Sequence, residues 1–189
     1  VVCSAVSYAH GVVDPVPAIA SAARARGIPC HVDGCIGGWV LAWYRRLGYA
    51  VPDWDFAVDG VTSISVDLHK YAYASKGAST LLFRDPALRR ASYFASADWP
   101  GYAMINTTMQ STKSGGPLAG AWAVVQSLGD TGYELLSRDV FEAVDRIVAG
   151  IADIPELSVL VAPDSTLIAL VTDETCDAFT VCDEMAARD

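Results

Sequence analysis

Short apolar runs alternate along the chain with stretches whose apolar positions recur every three or four residues. Residues 1–7 (Val1-Val2-Cys3-Ser4-Ala5-Val6-Ser7) read as a strand buried on both faces. Asp14-Pro15 reads as a helix start, Asp as the cap and Pro at the first helical position. Val16, Ile19, Ala20 and Ala23 then share one helical face, and Gly27 is placed to end the helix. A strand is predicted over 28–33, and Val40, Trp43, Tyr44 and Leu47 mark a helix that closes at Gly48. Further strands are predicted over 61–66 and 78–83. Buried strands alternating with amphipathic helices predict an α/β fold with a largely parallel sheet covered on both faces.

The second half has a different texture. Residues 86–116 are rich in Gly, Ser and Thr and hold Trp99-Pro100-Gly101, so they read mostly as loop, which at that length is usually functional. Pro117 opens a helix through Leu118, Ala121, Trp122, Val125 and Leu128. Thr131-Gly132-Tyr133-Glu134 has the form of a capping box ahead of a long helix striped by Leu136, Val140, Val144, Ile147 and Ile151. Pro155 ends it. Strands over 158–162 and 166–172 and a helix from about Asp177 would begin a smaller α+β unit. The chain opens in a strand that nothing precedes and closes in a helix cut short, as expected of a piece of a longer protein.

Composition narrows the classes. At 52% apolar and 19% charged residues the chain is not disordered. Its net charge of −9 makes it a poor partner for nucleic acid. No apolar run reaches the ~18 residues of a membrane span. The five cysteines (Cys3, Cys30, Cys35, Cys176, Cys182) include no CxxC pair and read as reduced thiols of a cytoplasmic protein.

Two residues at predicted strand ends carry the chemical interest. Lys70, one of three lysines, follows the strand over 61–66 in an aromatic setting, where desolvation should lower its pKa and favour Schiff-base chemistry. It could equally be a surface lysine in a turn. Asp33 ends the strand over 28–33 and could pair with a cationic group such as a protonated pyridine nitrogen, or simply cap the next helix. His31 shares its face, with His69 and Cys35 near, but no HExxH or CxxC spacing supports a metal and none is assigned. G-x-S-x-G, Walker A and G-x-G-x-x-G motifs are absent from the sequence.

Together, His31-Val32-Asp33-Gly34-Cys35-Ile36-Gly37-Gly38-Trp39, Val61-Thr62-Ser63-Ile64-Ser65 and Asp67-Leu68-His69-Lys70-Tyr71-Ala72-Tyr73-Ala74-Ser75-Lys76-Gly77 resemble the pyridoxal-phosphate (PLP) enzymes of fold type I. Within that fold the likeness is to the group II decarboxylase family, and within it to the sphingosine phosphate lyases. Tyr8-Ala9-His10-Gly11, Asp98-Trp99-Pro100-Gly101, Thr112-Lys113-Ser114-Gly115-Gly116 and Gly129-Asp130-Thr131-Gly132-Tyr133 match further family stretches in order. Ala72 and Ser75 stand where the family pattern has Gly and Pro, and Lys113 where arginine is commoner. The resemblance implies that residues 1–130 are the later part of a PLP-binding large domain, 131–152 a connecting helix and 153–189 the start of a small domain. The phosphate-binding turn and ring-stacking residue would lie upstream.

The resemblance also implies roles. Lys70 would hold PLP covalently and Asp33 would pair with the pyridine nitrogen. Cys35 would pack on one ring face and His10 approach the other. His69, Ser111 and Thr112 would serve the cofactor phosphate, the last two across a homodimer interface. Lys76 would hold a substrate phosphate. The activity implied is retro-aldol cleavage of phosphorylated sphingoid-type amino alcohols, small-molecule amines, to phosphoethanolamine and a fatty aldehyde. An amino-acid decarboxylase, or a truncated module without activity, are the alternatives.

Overall fold

A computed structural model describes residues 1–108 and 112–188. Its central sheet has the order β1 (Val2–Ser4), β2 (Cys30–Asp33), β3 (Val61–Asp67), β4 (Ser79–Phe83). The first three strands are parallel and β4 is antiparallel to β3, the mostly parallel α/β arrangement expected. Helices α1 (Val16–Arg24) and α2 (Gly37–Arg46) link the parallel strands. They bury Val16, Ala20 and Ala23, and Val40, Leu41, Trp43 and Tyr44, largely the predicted stripes. Cys30, Val32, Ile64 and Val66 form one core with Val16, Ala20, Ala23 and Leu41, while Val40 and Tyr44 pack with Phe141. Because side chains alternate along a strand, His31, Asp33, Ser63 and Ser65 are left facing the other way.

The first turn of α2 packs tightly on the strand ends. A Cβ on Gly37 would lie 2.4 Å from the Ala5 carbonyl oxygen, and one on Gly38 would lie 2.8 Å from the Val66 side chain. No larger residue could bring the turn this close.

Several expectations need correction. Val1 and Val2 are exposed rather than buried on both faces, because only the face of β1 that carries Cys3 packs into the core. Asp14 does not cap α1: its carboxylate accepts the Ser4 N–H at 2.7 Å, and Pro15 occupies the cap position. Segment 86–116 is mostly loop, as its composition suggests, but not entirely. It holds α3 (Pro86–Arg90), capped by the Asp85 carboxylate on the Ala87 N–H, and an antiparallel pair β5 (Phe94–Ser96) and β6 (Met104–Asn106). Strands of three residues are too short to show a period of two.

The two predicted helices after Pro117 are joined as α4 (Gly116–Ile151), broken at Gly129, whose φ of 54° is open to glycine without a Cβ clash. The break comes two residues before the predicted cap, so Thr131 already lies inside the helix. The buried face is also rotated: it runs through Tyr133, Ser137, Phe141, Val144 and Ile151, while Ile147 is exposed. The rings at Tyr133 and Phe141 set that rotation by packing on Trp39 and Trp43, and on Tyr44. Beyond α4, β7 (Leu157–Val159) and β8 (Leu170–Thr172) pair antiparallel, both shorter than predicted. The last helix, α5 (Ala178–Ala186), starts at the Asp177 cap as expected.

Since the Gly37 approach fixes α2 on the sheet, Gly37→Ala is expected to cost about 1–3 kcal/mol through overpacking. Urea unfolding of the protein checks this, and an unchanged midpoint would contradict the close approach.

Candidate active site

Parallel strands place their carboxyl ends together, and ligands of open α/β sheets bind there. Here that edge gathers the His10 turn after β1, Asp33 at the end of β2 and Asp67 at the end of β3. The antiparallel β4 begins at the same edge with Ser79. The turn from Gly34 to Gly38 is locked onto β3 by Gly34 N–H to the Ser65 carbonyl (3.0 Å) and Asp67 N–H to the Cys35 carbonyl (3.3 Å).

Asp33 is half-buried. Its Oδ1 accepts the Cys35 backbone N–H at 3.0 Å and the Ser65 hydroxyl at 3.1 Å. Ser65 in turn bonds His31 Nε2 at 3.3 Å, and His31 Nδ1 bonds the Ser63 hydroxyl at 2.9 Å. Burial alone would push the Asp33 carboxyl up, but the Cys35 N–H and thiol and the Ser65 hydroxyl outweigh it and hold it below the usual carboxylate range. Burial, then the neighbouring Asp33, push the Cys35 thiol up, against a downward pull from Lys70. Cys35 therefore remains a thiol, standing between Asp33 and Lys70.

Lys70 sits in the turn after β3. Burial acts to lower its pKa, as the sequence suggested, but the direction is reversed by Asp67, whose Oδ2 lies 2.9 Å from Nζ, and by Cys35. The net shift is upward, and the expectation of a lowered pKa is corrected: a carboxylate partner outweighs partial desolvation. Asp67 itself is held low, since the Ser79 hydroxyl and Lys70 overcome the effect of its burial. His69 donates from Nδ1 to the Ala78 carbonyl at 2.9 Å and turns Nε2 toward Asp67 Oδ2 at 3.5 Å.

The structure thus joins Asp33, Cys35, Lys70 and His69 in one connected cluster. It does not tie the other predicted residues to it. His10 is exposed, in a turn where its Nδ1 meets the Ser7 hydroxyl at 3.3 Å. Lys76 and Thr112 are exposed on neighbouring loops. Ser111 lies outside the described residues. An open cleft of about 480 Å³ beside the cluster is lined by Leu68, Gly77, Ser79, Lys113 and Ser114. A larger apolar cavity of about 520 Å³, lined by Trp39, Trp54, Phe56, Ile64 and Val66, adjoins the core-side residues of β3 instead.

Three contributors were not singled out from the sequence. Asp67 could have been found from its place at a strand end three residues before Lys70. Ser65 shares a strand face with Ser63 and Asp67, a period-two signal. Tyr133, whose buried hydroxyl donates to the Ala72 carbonyl at 2.8 Å, holds the lysine loop from 61 residues away and gives no local sign.

The donor set suits a PLP site in one testable respect. Asp33 is held ionised, and the Cys35 N–H and Ser65 hydroxyl that bond its Oδ1 are uncharged, so its negative charge stays available to a protonated ring nitrogen. The sign of its pH dependence follows. Its hydrogen bonds contribute fully above the unfolded carboxyl pKa near 4 and are lost as pH falls through the lower folded value. Ser65→Ala is expected to cost about 0.5–1.5 kcal/mol at neutral pH, and the deficit should shrink toward zero in acid, as read by urea unfolding at several pH values. A deficit constant with pH would mean that Ser65 does not act on the charged carboxylate.

No family model matches the chain. Among curated proteins, the sphingosine-1-phosphate lyase of Arabidopsis thaliana is 41% identical over 188 residues, covering 100% of this chain and 34% of that protein. The chain therefore spans about a third of the length of the curated relatives it matches. The solved sphingosine-1-phosphate lyase of Burkholderia pseudomallei superposes with a TM-score of 0.93 at 40% identity, over 99% of this chain and 42% of that one. A Lactobacillus brevis glutamate decarboxylase superposes at 0.78 with 16% identity, over 99% and 44%, a likeness of fold alone. Along its whole length the chain is homologous to the sphingosine-1-phosphate lyases and belongs to their family, with the fold type I of PLP-dependent enzymes that the glutamate decarboxylase shares.

Proposed function

We propose that the protein is a PLP-dependent carbon–carbon lyase that cleaves phosphorylated sphingoid-type amino alcohols to phosphoethanolamine and a fatty aldehyde. One observation carries the reading: Asp33 at the end of β2 and Lys70 in the turn after β3, distant in sequence, come to the same carboxyl edge of the sheet, where Ser65 bonds Asp33 and the Asp67 N–H bonds the Cys35 carbonyl. When bound, PLP supplies an electron sink for the bonds at the amine-bearing carbon. Lys70 would hold it through Nζ, and Asp33 would keep the ring nitrogen protonated. Cys35, a neutral thiol, would pack on the ring without adding charge. His69 would reach the cofactor phosphate, and His10 would approach the ring from the β1 side. Lys76 would offer its ammonium to the substrate phosphate, with Ser111 and Thr112 serving the cofactor phosphate of the partner in a homodimer. Exposed Trp99, Tyr102 and Ile105 near that loop support such an interface. Free thiols at all five cysteines support a cytoplasmic location. We read residues 1–130, 131–152 and 153–189 as large-domain segment, connecting helix and start of a small domain.

Amino-acid decarboxylation would use the same Lys70 and Asp33. It fits less well, because a probable L-aspartate decarboxylase of Pyrococcus abyssi is 36% identical over only 70% of this chain, against 41% over 100% for the Arabidopsis lyase.

Lys70→Ala is expected to abolish borohydride-trappable attachment of PLP to the protein, measured by mass spectrometry. A trapped adduct that persists in this variant would refute the assignment. Lys76→Ala is expected to lose cleavage of phosphorylated substrate by roughly tenfold or more, as for a lost charge-assisted contact of about 1.5–3 kcal/mol, assayed by aldehyde release. If the wild type cleaves unphosphorylated amino alcohols equally well, the substrate reading fails.

A further inference from the structure

Asp67 ends β3 three residues before Lys70 and serves two partners with one oxygen. Its Oδ2 lies 2.9 Å from Lys70 Nζ and 3.5 Å from His69 Nε2, while the Ser79 hydroxyl donates to Oδ1. His69 is held in place by its Nδ1–H on the Ala78 carbonyl. The side chains of Asp67, His69 and Lys70 are 17%, 24% and 33% exposed, so the group is partly withdrawn from water. An amine attacks a carbonyl carbon only as the free base, with its lone pair available. An ammonium paired to a carboxylate has none.

We propose that Asp67 is a positioning residue that clamps the Lys70 ammonium on one carboxylate oxygen, beside the His69 ring, keeping the attachment lysine aligned but unreactive until its proton is released. This rests on the reading of Lys70 as the attachment lysine. The proton leaving Nζ passes to a base in the solvent once the Asp67 contact opens. The neutral amine then forms the C–N bond to an aldehyde carbon, and the carbonyl oxygen departs as water with the two hydrogens the amine carried. Among the described residues, the titratable groups facing Nζ are Asp67 and Cys35, with His69 behind the first and Asp33 behind the second. Removing the Asp67 charge leaves the Cys35 and Asp33 side in place.

The test is the pH profile of Lys70 acylation by acetic anhydride in the intact, cofactor-stripped protein, read peptide by peptide by mass spectrometry. The exposed Lys76 is the internal reference. Asp67→Asn is expected to move the Lys70 midpoint to lower pH and to speed labelling at neutral pH about two- to fivefold relative to Lys76. Asp67→Glu should restore the wild-type midpoint. The pH profile of PLP capture, followed by absorbance, should move in parallel, which mere loosening of the loop would not cause. A reading that needs no variant is salt: the wild-type Lys70 midpoint should fall further than that of Lys76 as salt screens the pair. An unmoved midpoint in Asp67→Asn, or in salt should that variant not fold, overturns the clamp. If Lys70 is still the residue trapped by borohydride, its assignment stands. Trapping at another lysine overturns the assignment instead.

Discussion

The pairing of β2 with β3 places Asp33 opposite Ser65 and His31 opposite Ser63, and the ionic side of the site depends on that register. A slip of one residue would turn His31 and Asp33 into the core and Val32 out of it. The core face opposes any slip, since Cys30, Val32, Val61 and Ile64 are all buried. The pairing shifts between Cys30 and His31, and there the Thr62 hydroxyl donates to the Cys30 carbonyl at 2.8 Å. The irregularity lets Val61 stay in the core while Ser63 and Ser65 reach the polar face. Burial on one side of the sheet thereby fixes the hydrogen bonds that keep Asp33 ionised on the other.

The same strand carries the constraint to Lys70. The end of β3 turns back on itself, with the Leu68 and His69 N–H groups both donating to the Ala78 carbonyl. The Ala74 N–H closes onto the Leu68 carbonyl at 3.0 Å, and Tyr133 reaches the Ala72 carbonyl from α4. Within this loop Tyr73 takes a φ of 59°, a left-handed conformation that costs a non-glycine residue about 1–2 kcal/mol. A net contribution of roughly 1 kcal/mol from each hydrogen bond is enough to hold it. The ring of Tyr133 lies 5.0 Å from Trp39 and 5.8 Å from Trp43, so α2, α4 and the lysine loop are tied together through one side chain.

What could be read from the sequence was whatever leaves a local trace. The parallel strands, α1 and α2 follow from apolar periodicity, and Lys70 and Asp33 from their places at strand ends. The joint motif identifies the family, because it specifies several strand ends at once. Features that depend on distant partners were not legible. The buried face of α4 is set by rings on α2, which no period within α4 encodes, so Ile147 was placed wrongly. The protonation of Lys70 depends on a carboxylate whose side chain could have turned elsewhere, and the sequence supplied only the desolvation half of that balance. The exposed His10, Lys76 and Thr112 matched the family motif, but motif position does not tell which side chains already have partners.

Asp33 and Asp67 show how environment divides labour between identical residues. Both end parallel strands, both are partly buried, and both are held ionised against the cost of burial. Asp33 achieves this with neutral donors, a backbone N–H, a thiol and a hydroxyl, which solvate the charge without cancelling it. Its field remains available to a cation. Asp67 is stabilised by a hydroxyl and by the Lys70 ammonium, so its charge is already matched within the protein. An incoming cationic ring would find a full negative charge at Asp33 and a nearly neutral pair at Asp67. Were the donors exchanged, with Lys70 paired to Asp33, the pyridine nitrogen would lose its counter-charge while the lysine turn gained an unmatched one. The direction in which a cofactor ring could bind follows from which aspartate the lysine leaves free.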